Sequence, residues 1–430
     1  MRRTRKSATR AWVLHPEIAG AGAGTGAAAR DPVHALEEAT ALARALPGLE
    51  VAGAEVVRLR RAQPGTLFGK GKIEELRALV AAEALDLLLI DGPVTPVQQR
   101  NLETALGVKL LDRTGLILEI FSDRAATREG VLQVEMAALS YQRTRLVRAW
   151  THLERQRGGL GFVGGPGETQ IEADRRAIDE QIVRLRRQLD KVVRTRGLHR
   201  AARARVPFPI VALVGYTNAG KSTLFNRLTG AEVVARDMPF ATLDPTMRRI
   251  SLPGNAGEVI LSDTVGFISD LPLELVAAFR ATLEEVTAAD LIVHVRDISH
   301  PQSDEQAQDV AAILESLGVS ATIPRIEVLN KIDRLDAEAR EAVENRAARA
   351  EGVCPMSAAT GEGLDAFVAA LKAALEATMH RQQLDLPFED GRRRAWLFDK
   401  GVVEKETRDS QRVHLIVRWN DRQRAQFERL

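Results

Sequence analysis

The amino-acid sequence predicts an α/β protein of two or three domains, and three observations support this fold class. Its 430 residues are enough for two or three separate hydrophobic cores. Short apolar runs of strand length alternate with helical patterns through residues 11–106 and again through 206–380, which is typical of parallel sheets covered by helices. Two long helical patterns lie between these regions, and strand-like alternation follows the second region.

Residues 1–127 are predicted to form an N-terminal α/β domain. The Ala- and Gly-rich residues 19–30 indicate a loose insertion after the first strand. Residues 65–72 contain glycines and lysines before a helix, but they lack the spacing of a phosphate loop. We therefore interpret them as a turn that could contact a phosphate. The expected strands lie near 11–14, 51–60 and 85–90, and the expected helices lie near 33–46, 71–84 and 95–106.

Residues 128–205 are predicted to form an antiparallel helical hairpin. In both arms the apolar residues are spaced mainly by threes and fours, so each arm should be a helix with one apolar seam. Residues 158–168 between the arms are rich in glycine, which is unfavourable in helices and indicates a flexible tip. The seam residues are Leu132, Met136, Leu139, Leu146, Trp150 and Leu153 in the first arm and Ile171, Ile178, Ile182, Leu185, Leu189 and Val192 in the second.

The outer faces of this hairpin are predicted to be basic. Residues 141–205 contain sixteen basic and seven acidic side chains, a net charge of +9, and fifteen of the basic residues are arginines. Arginine suits phosphate forks and base stacking, so we expect the hairpin to contact RNA. Two alternatives are an ordinary solvated helix face and nucleotide binding by the glycine-rich tip.

A glycine-rich loop follows the apolar run 209–214 and precedes a helical pattern. It reads Gly-Tyr-Thr-Asn-Ala-Gly-Lys-Ser at 215–222. Such a loop turns its N–H groups toward phosphate oxygens at a helix N-terminus, whose dipole favours anions. The sequence therefore predicts a nucleoside triphosphatase, the alternative being a chance glycine-rich turn. The predicted nucleotide contacts here are Gly215, Asn218, Ala219, Gly220, Lys221, Ser222 and Thr223.

A second loop is predicted to select guanine. Asp333 ends an Asn-Lys-Ile-Asp motif that follows the apolar run 326–329. Its carboxylate can accept from the N1–H and the exocyclic amine of guanine, whereas adenine would leave the charge unpaired. An isolated motif of this kind would indicate a surface turn, but here it follows a phosphate loop in order. The other predicted base-site residues are Asn330 as a brace, Lys331 with its stem over the ring, and Ser357 and Ala358 as a further contact to the base.

Two segments between these loops are predicted to sense the terminal phosphate. Asp263 and Gly266 follow the strand pattern 258–261, so the carboxylate could hold Mg²⁺ through water and the Gly266 amide could contact the γ-phosphate. Upstream, Thr242 lies in a proline-bounded loop and could close over Mg²⁺, with Thr246 as the rival hydroxyl. The predicted catalytic residues are Lys221, Thr242 and Gly266, and the predicted metal ligands are Ser222, Thr242 and Asp263.

Phe267 stands where many Ras-like enzymes carry a glutamine that orients water. Because a phenyl ring cannot hydrogen-bond, we expect slow hydrolysis by the resting enzyme. Assistance could come from a partner, a rearranged switch, or a monovalent cation, K⁺ in some small GTPases, held partly by Asn218. The alternative for Asn218 is an amide that only braces the loop.

The end of the chain and its composition complete the predicted organisation. Residues 206–380 form the predicted GTPase domain, with strands near 209–214, 258–262, 290–296, 325–329 and 352–356. Residues 381–430 form a predicted small α+β domain, with strands near 395–399, 402–407 and 412–419 and a helix from Asn420. The single cysteine, Cys354, excludes a disulfide within the chain. Without a membrane-length apolar run or a secretory signal pattern, we expect a cytoplasmic protein. We also expect it to be a monomer.

Several of these segments together resemble the HflX family of translation-factor-related GTPases. The resemblance rests on Gly-Lys-Gly-Lys at 69–72, Gln-Val-Glu-Met-Ala at 133–137, the run 158–176, the phosphate loop, and Phe-Ala-Thr-Leu-Asp-Pro at 240–245. It implies binding of the large ribosomal subunit, with the hairpin reaching rRNA near the peptidyl-transferase centre and helping to part stalled ribosomes. Two segments depart from the pattern that the resemblance implies: the part of the tip at 162–164 adds one residue, and residues 19–30 are low in complexity.

The complete prediction is a P-loop (Ras-like) GTPase domain with an N-terminal α/β domain carrying a long helical hairpin, and a small C-terminal α+β domain. Its predicted ligands are GTP or GDP with Mg²⁺, and its predicted partner is the large ribosomal subunit. One alternative is a GTP-regulated RNA-binding assembly factor or chaperone that never parts ribosomes. Another is an ATP-driven remodelling enzyme that acts through the N-terminal domain.

Overall fold

The computed structural model describes residues 8–19, 31–156, 166–203, 208–230, 239–240, 246–252, 258–269, 286–409, 412–428 and 430. The chain divides into two compact units. The first comprises Met1–Thr195, Arg236–Asp244 and Ile268–Thr282, and the second comprises Arg196–Ala235, Pro245–Phe267 and Leu283–Leu430. No helix in the described part of the chain is both long enough and apolar enough to cross a membrane.

The first unit contains a parallel four-stranded sheet in the order β2-β1-β3-β4. All the strands and helices predicted before residue 107 are present, whereas β4 and α4 were not predicted. Asp112 ends β4 and caps α4, because its carboxylate accepts a 2.8 Å hydrogen bond from Gly115 N. The elements are β1 Thr9–Ile18, α1 Pro32–Arg44, β2 Leu49–Leu59, α2 Lys70–Glu83, β3 Leu87–Ile90, α3 Pro96–Leu106, β4 Lys109–Asp112 and α4 Arg113–Arg124.

The glycine-rich turn at 65–72 contains two lysines, of which Lys72 is ion-paired. Lys72 Nζ lies 3.0 Å from Glu55 and 3.3 Å from Glu75, and these two carboxylates offset its charge. Their contacts raise the pKa of Lys72 despite the opposing effect of burial. Lys70 in the same turn is exposed, so the phosphate contact and the ATP-driven alternative stay predictions.

Two long helices follow, α5 Arg128–Gln156 and α6 Pro166–Arg203. Leu132 and Leu185 of the predicted seams are buried, and Arg143 on α5 forms a 2.6 Å ion pair with Asp179 on α6. The predicted tip was wrong at residues 166–168, which are helical because Pro166 is favourable in the first turn of a helix. Its residues 158–165 lie outside the described residues.

One arginine of the predicted basic face has a structural role instead. Arg145 donates a 2.5 Å hydrogen bond to Asp112, and its guanidinium lies 4.5 Å from the centre of the Tyr141 ring. Tyr141 also donates to Asp112, at 2.5 Å. These contacts connect α5 with the start of α4 and remove Arg145 from the side chains offered to RNA.

Two segments distant in sequence complete the first unit and pack on α4. The Phe240 ring meets Phe121 edge to face, with ring centres 4.6 Å apart. The Arg113 guanidinium donates to the carbonyl and hydroxyl oxygens of Ser269, both at 3.0 Å. The Ser269 hydroxyl in turn donates to Glu38 at 2.9 Å. Both ends of α4 are therefore anchored by these segments.

The second unit contains a six-stranded sheet in the order β10-β9-β8-β5-β7-β6. Its strands are parallel except for β6, an unpredicted strand that runs antiparallel to β7 at the sheet edge. The elements are β5 Ile210–Val214, α7 Lys221–Thr229, β6 Thr246–Ser251, β7 Glu258–Asp263, β8 Leu291–Asp297, α8 Ser303–Ser316, β9 Arg325–Asn330, α9 Ala337–Ala348, β10 Val353–Pro355 and α10 Leu364–Ala377, with a 3-10 helix at Ile332–Arg334.

The chain ends in an antiparallel three-stranded sheet in the order β11-β13-β12. The strand predicted at 395–399 was wrong, because these residues belong to a helix capped by Asp390. Leu397 on that helix packs in the same core as Leu415 and Trp419. The elements are β11 His380–Pro387, α11 Gly391–Asp399, β12 Val403–Arg408, β13 Arg412–Trp419 and α12 Asp421–Phe427.

Candidate active site

The phosphate loop connects the end of β5 with the start of α7. Gly215 has φ +151° and Gly220 has φ +96°, in the region that favours glycine. A Cβ atom on Gly215 would lie 2.1 Å from the Val295 carbonyl oxygen, and one on Gly220 would lie 2.2 Å from Asn330 Nδ2. Only glycine therefore fits at these two positions.

Lys221 at the start of α7 is buried beneath this loop. Its Nζ donates to the carbonyl oxygens of Gly215, at 3.1 Å, and Tyr216, at 2.8 Å. Burial lowers the pKa of Lys221 to about 8, against the opposing effect of the Asp263 carboxylate. A nearby phosphate would stabilise the charged form of this amine and raise its pKa, so the residue is suited to anion binding.

Ser222 and Asp263 form the oxygen pair of the predicted metal site. The Ser222 hydroxyl donates a 2.7 Å hydrogen bond to Asp263 Oδ2 at the end of β7. Mg²⁺ prefers oxygen ligands and completes its shell with phosphates and waters, so one hydroxyl and one carboxylate fit this ion. Within the described residues no cluster of three His, Cys, Asp or Glu side chains could hold a metal. Thr242, the third predicted ligand, lies outside the described residues.

The backbone after Asp263 returns to the phosphate loop. Thr217 N donates to Phe267 O at 2.6 Å, and Phe267 N donates to Gly215 O at 3.1 Å. A Cβ atom on Gly266 would lie 2.9 Å from Thr217 Cα and 3.1 Å from Lys221 Nζ. Gly266 therefore brings its peptide against the phosphate loop, whereas the Phe267 ring is buried.

Asn330 connects the phosphate loop with the loop that follows β10. Its Nδ2 donates to Ala219 O at 2.7 Å, and its Oδ1 accepts from Ala358 N at 2.8 Å. The side chain is buried, as are Ser357 and Ala358. Both amide atoms of Asn330 are thus used to hold two loops together.

The remaining predicted base-site residues lie just beyond Asn330. Lys331 has φ +68°, and its Nζ pairs with Asp297 at 2.6 Å. Asp333 lies in the short 3-10 helix with an exposed side chain, which leaves its carboxylate accessible to a ligand. Asn218 is also exposed, with φ +61° on the phosphate loop, and Thr223 is half-buried in the first turn of α7.

Two residues that the sequence analysis missed support this site. Asp297 ends β8 and forms an ion pair with Lys331. Like Asp263, it is an acidic residue at the end of a buried strand, and this pattern could have identified it as a site residue. Arg227 on α7 donates to the Ala358 carbonyl at 2.7 Å. No local pattern indicates this contact, because the two residues are 131 positions apart.

Four family models match successive parts of the chain. They are described as "GTP-binding GTPase N-terminal" at residues 33–122, "GTP-binding GTPase Middle Region" at 124–203, "50S ribosome-binding GTPase" at 210–331 and "HflX C-terminal domain" at 342–430. The GTPase model covers the phosphate loop and Asp263, and its last residues are Asn330 and Lys331.

Curated relatives match most of the chain. A "GTPase HflX" of Magnetococcus marinus is 53% identical over 350 residues, covering 81% of this chain and 79% of the relative. The Escherichia coli "GTPase HflX" is 46% identical over 347 residues, covering 80% of each. That of Caldanaerobacter subterraneus is 43% identical over 366 residues, covering 85% of this chain and 83% of the relative. The site and these matches agree with the predicted GTP hydrolysis and family, and the chain belongs to the HflX family of GTPases.

Proposed function

We propose that the GTP-bound protein binds the large ribosomal subunit through its helical hairpin and separates stalled ribosomes, and that hydrolysis releases it. The observation that carries the proposal is the packing of Phe240 and Ser269 on α4 within the unit that bears the hairpin. Phe240 and Ser269 are close in sequence to the predicted sensing residues Thr242 and Gly266, so a nucleotide-dependent change in these segments would act on α4.

The first step in the proposed coupling joins α4 to the two predicted phosphate-sensing segments, those of Thr242 and Gly266. Phe240 lies two residues before Thr242, and Ser269 lies three residues after Gly266. Their partners, Phe121 and Arg113, lie near opposite ends of α4. A γ-phosphate that reorders Thr242 and Gly266 would therefore change contacts along this helix.

The second step joins α4 to the hairpin. Asp112 caps α4 and also accepts hydrogen bonds from Tyr141 and Arg145 of α5, each at 2.5 Å. Asp112 is buried, so a movement of the start of α4 would cost its carboxylate the two donors on α5 unless α5 moved with it. The proposal thus has a continuous path from the sensing segments to α5.

In the nucleotide site, Asp333 would select guanine, and the phosphate loop with Lys221 would hold the phosphates. Bound Mg²⁺, held by Ser222 and Asp263, would offset the charge of the β- and γ-phosphates. The Gly266 amide would contact the γ-phosphate.

Sedimentation with large ribosomal subunits, in a non-hydrolysable GTP analogue and in GDP, tests the proposal. Association with precursor particles and no effect on intact ribosomes would instead indicate an assembly factor.

The hairpin arginines should give subunit binding a steep salt dependence. Arg184, Arg187 and Arg194 are exposed on α6, and each phosphate contact that they make releases counterions. Replacing all three by glutamine should reduce the magnitude of the slope of log affinity against log salt concentration by roughly 0.7–0.9 for each lost contact. GTP affinity should be unchanged. The matched control replaces the exposed Arg100 and Arg349 by glutamine, and an equal flattening there would contradict a specific hairpin contact.

Potassium dependence is proposed from Asn218, because Phe267 supplies no hydrogen bond for the attacking water. We expect GTP turnover to be about tenfold faster or more in K⁺ than in Na⁺, as for other electrostatic stabilisers of the transition state. Asn218→Gly should remove this difference, since glycine accepts the φ of +61° without strain. Equal wild-type rates in the two salts would show that Asn218 only braces the loop.

A further inference from the structure

We propose that Arg227 is a specificity-positioning residue, which holds the loop 357–361 so that it reads the O6 edge of guanine. Arg227 lies on α7, the helix that begins with Lys221 at the phosphate loop. One helix would therefore serve the phosphates at its first turn and the base at its last turn. The inference deepens the proposed guanine site and rests on the assignment of Asp333 to the base.

The guanidinium of Arg227 forms a fork on two consecutive carbonyl groups. Its Nε donates to Ala358 O at 2.7 Å, and its Nη2 donates to Ala359 O. Gly361 closes over the same group with φ +92°, and a Cβ atom there would lie 2.6 Å from Nη1. The loop is thus folded around the guanidinium, and a side chain at Gly361 would push it away.

The Ala358 residue is held from both sides. Its N–H donates to Asn330 Oδ1 at 2.8 Å, while its carbonyl accepts from Arg227. Asn330 is itself fixed by Ala219 O of the phosphate loop. Loss of Arg227 would therefore remove the donor to the Ala358 carbonyl, while the bond from the Ala358 N–H to Asn330 remained.

Arginine is the side chain that this geometry requires. Two carbonyl oxygens on successive residues need two donors at a fixed spacing, which the planar guanidinium provides. Hydrogen bonds from a charged donor are also stronger than neutral ones. A lysine could satisfy one carbonyl but not both in the same geometry, so Arg227→Lys should behave as a loss of positioning.

The chemistry of guanine divides the base edge between two protein elements. The Asp333 carboxylate accepts from the N1–H and the 2-amino group, which leaves O6 as the remaining polar atom on that edge. O6 is an acceptor and needs a donor. Ser357, Ala358, Thr360 and Gly361 already donate their N–H groups to protein acceptors. The Ala359 N–H is therefore the donor that we assign to O6, and Arg227 positions it through the Ala359 carbonyl. Discrimination at position 6 should therefore depend on Arg227, and discrimination at position 2 should depend on Asp333.

The test compares the affinities of the full-length chain for GTP, 6-thio-GTP and ITP. Sulfur at position 6 is a larger and weaker acceptor than oxygen, and ITP lacks only the 2-amino group. For Arg227→Lys and Arg227→Gln we expect a GTP Kd about tenfold higher. We also expect the ratio of the 6-thio-GTP Kd to the GTP Kd to fall toward one. The ratio of the ITP Kd to the GTP Kd should stay within about twofold of its wild-type value. In turnover the change should fall on KM rather than kcat.

Arg340→Gln is the matched control, because Arg340 pairs with Glu362 beside the same loop but is partly exposed. It should leave both preferences unchanged, since exposed ion pairs contribute little. An unaltered position-6 preference in the Arg227 variants would overturn the inference. So would an equal loss of both preferences together with a lower melting temperature. A wild-type protein that binds GTP and ITP equally would instead refute the Asp333 assignment on which the inference rests.

Discussion

Replacement of Asp333 by alanine should lower GTP affinity by about a hundredfold to a thousandfold, while ATP affinity stays low. The carboxylate is exposed on the 3-10 helix after β9, so it can accept the two donors of guanine. Without it, the N1–H and the amine of bound guanine would lose their acceptor. Titration calorimetry with GTP, GDP and ATP measures the effect.

An exchange of ligand makes this prediction specific. Xanthine carries a carbonyl oxygen in place of the 2-amino group of guanine, and an asparagine amide can donate to it. Asp333→Asn should therefore bind XTP better than GTP, whereas Glu338→Gln, at an exposed carboxylate nearby, should behave as wild type. Similar wild-type affinities for GTP and ATP, or an Asp333→Ala variant with unchanged affinities, would refute the base site.

Replacement of Lys221 by methionine should lower GTP affinity by about a hundredfold or more, because it removes a buried charge from the phosphate site. Methionine keeps much of the volume of the side chain and cannot donate to phosphate. Fluorescence titration with a labelled GTP analogue measures the loss. Lys372→Met, at a half-exposed lysine on α10, is the control and should bind like wild type.

Lys221 also predicts a pH dependence with a definite sign. In the free protein burial lowers its pKa to about 8, and bound phosphates would raise that value. GTP affinity is then fully present below pH 8 and falls as the free protein loses this proton, by about fivefold between pH 8 and pH 9. The Lys221→Met variant should not show this fall, and equal falls in the two proteins would contradict the role of Lys221.

The sequence patterns predicted three of the four strands of the first sheet and five of the six strands of the second, because most of these strands contain a short apolar run. Asp263 and Asn330 could be placed for the same reason, since each ends a buried strand and parallel strands direct their carboxyl ends to one edge. The pair β4–α4 was missed because Leu110 and Leu111 run into the apolar residues of α4 with one cap, Asp112, between them. Periodicity alone does not separate such adjoining elements.

The end of the chain shows the opposite failure. Residues 395–398 are a short apolar run, Ala-Trp-Leu-Phe, of strand length, but the cap at Asp390 starts a helix whose buried residue is Leu397. β11, with mostly polar and exposed residues, has little of the apolar signal that marks a strand. Its pairing with β13 fixes it as a strand, and that contact is tertiary.

Contacts across long sequence separations lie beyond such patterns. Arg227 and Ala358 are 131 residues apart, and Arg113 and Ser269 are 156 residues apart. Neither arginine belongs to a recognisable motif. Their roles follow from the fold that brings the loops together, and the proposals on specificity and on the path to the hairpin both depend on them.

Sedimentation of the full-length protein with purified large ribosomal subunits is the most direct test of the central claim, that nucleotide state controls subunit binding through the hairpin. We expect the protein to sediment with subunits in a non-hydrolysable GTP analogue and to remain at the top of the gradient in GDP. Ser269→Ala, which removes the hydroxyl that contacts Arg113 and Glu38, should reduce this difference without abolishing GTP binding. Equal sedimentation in the two nucleotides, or none in either, would contradict the claim.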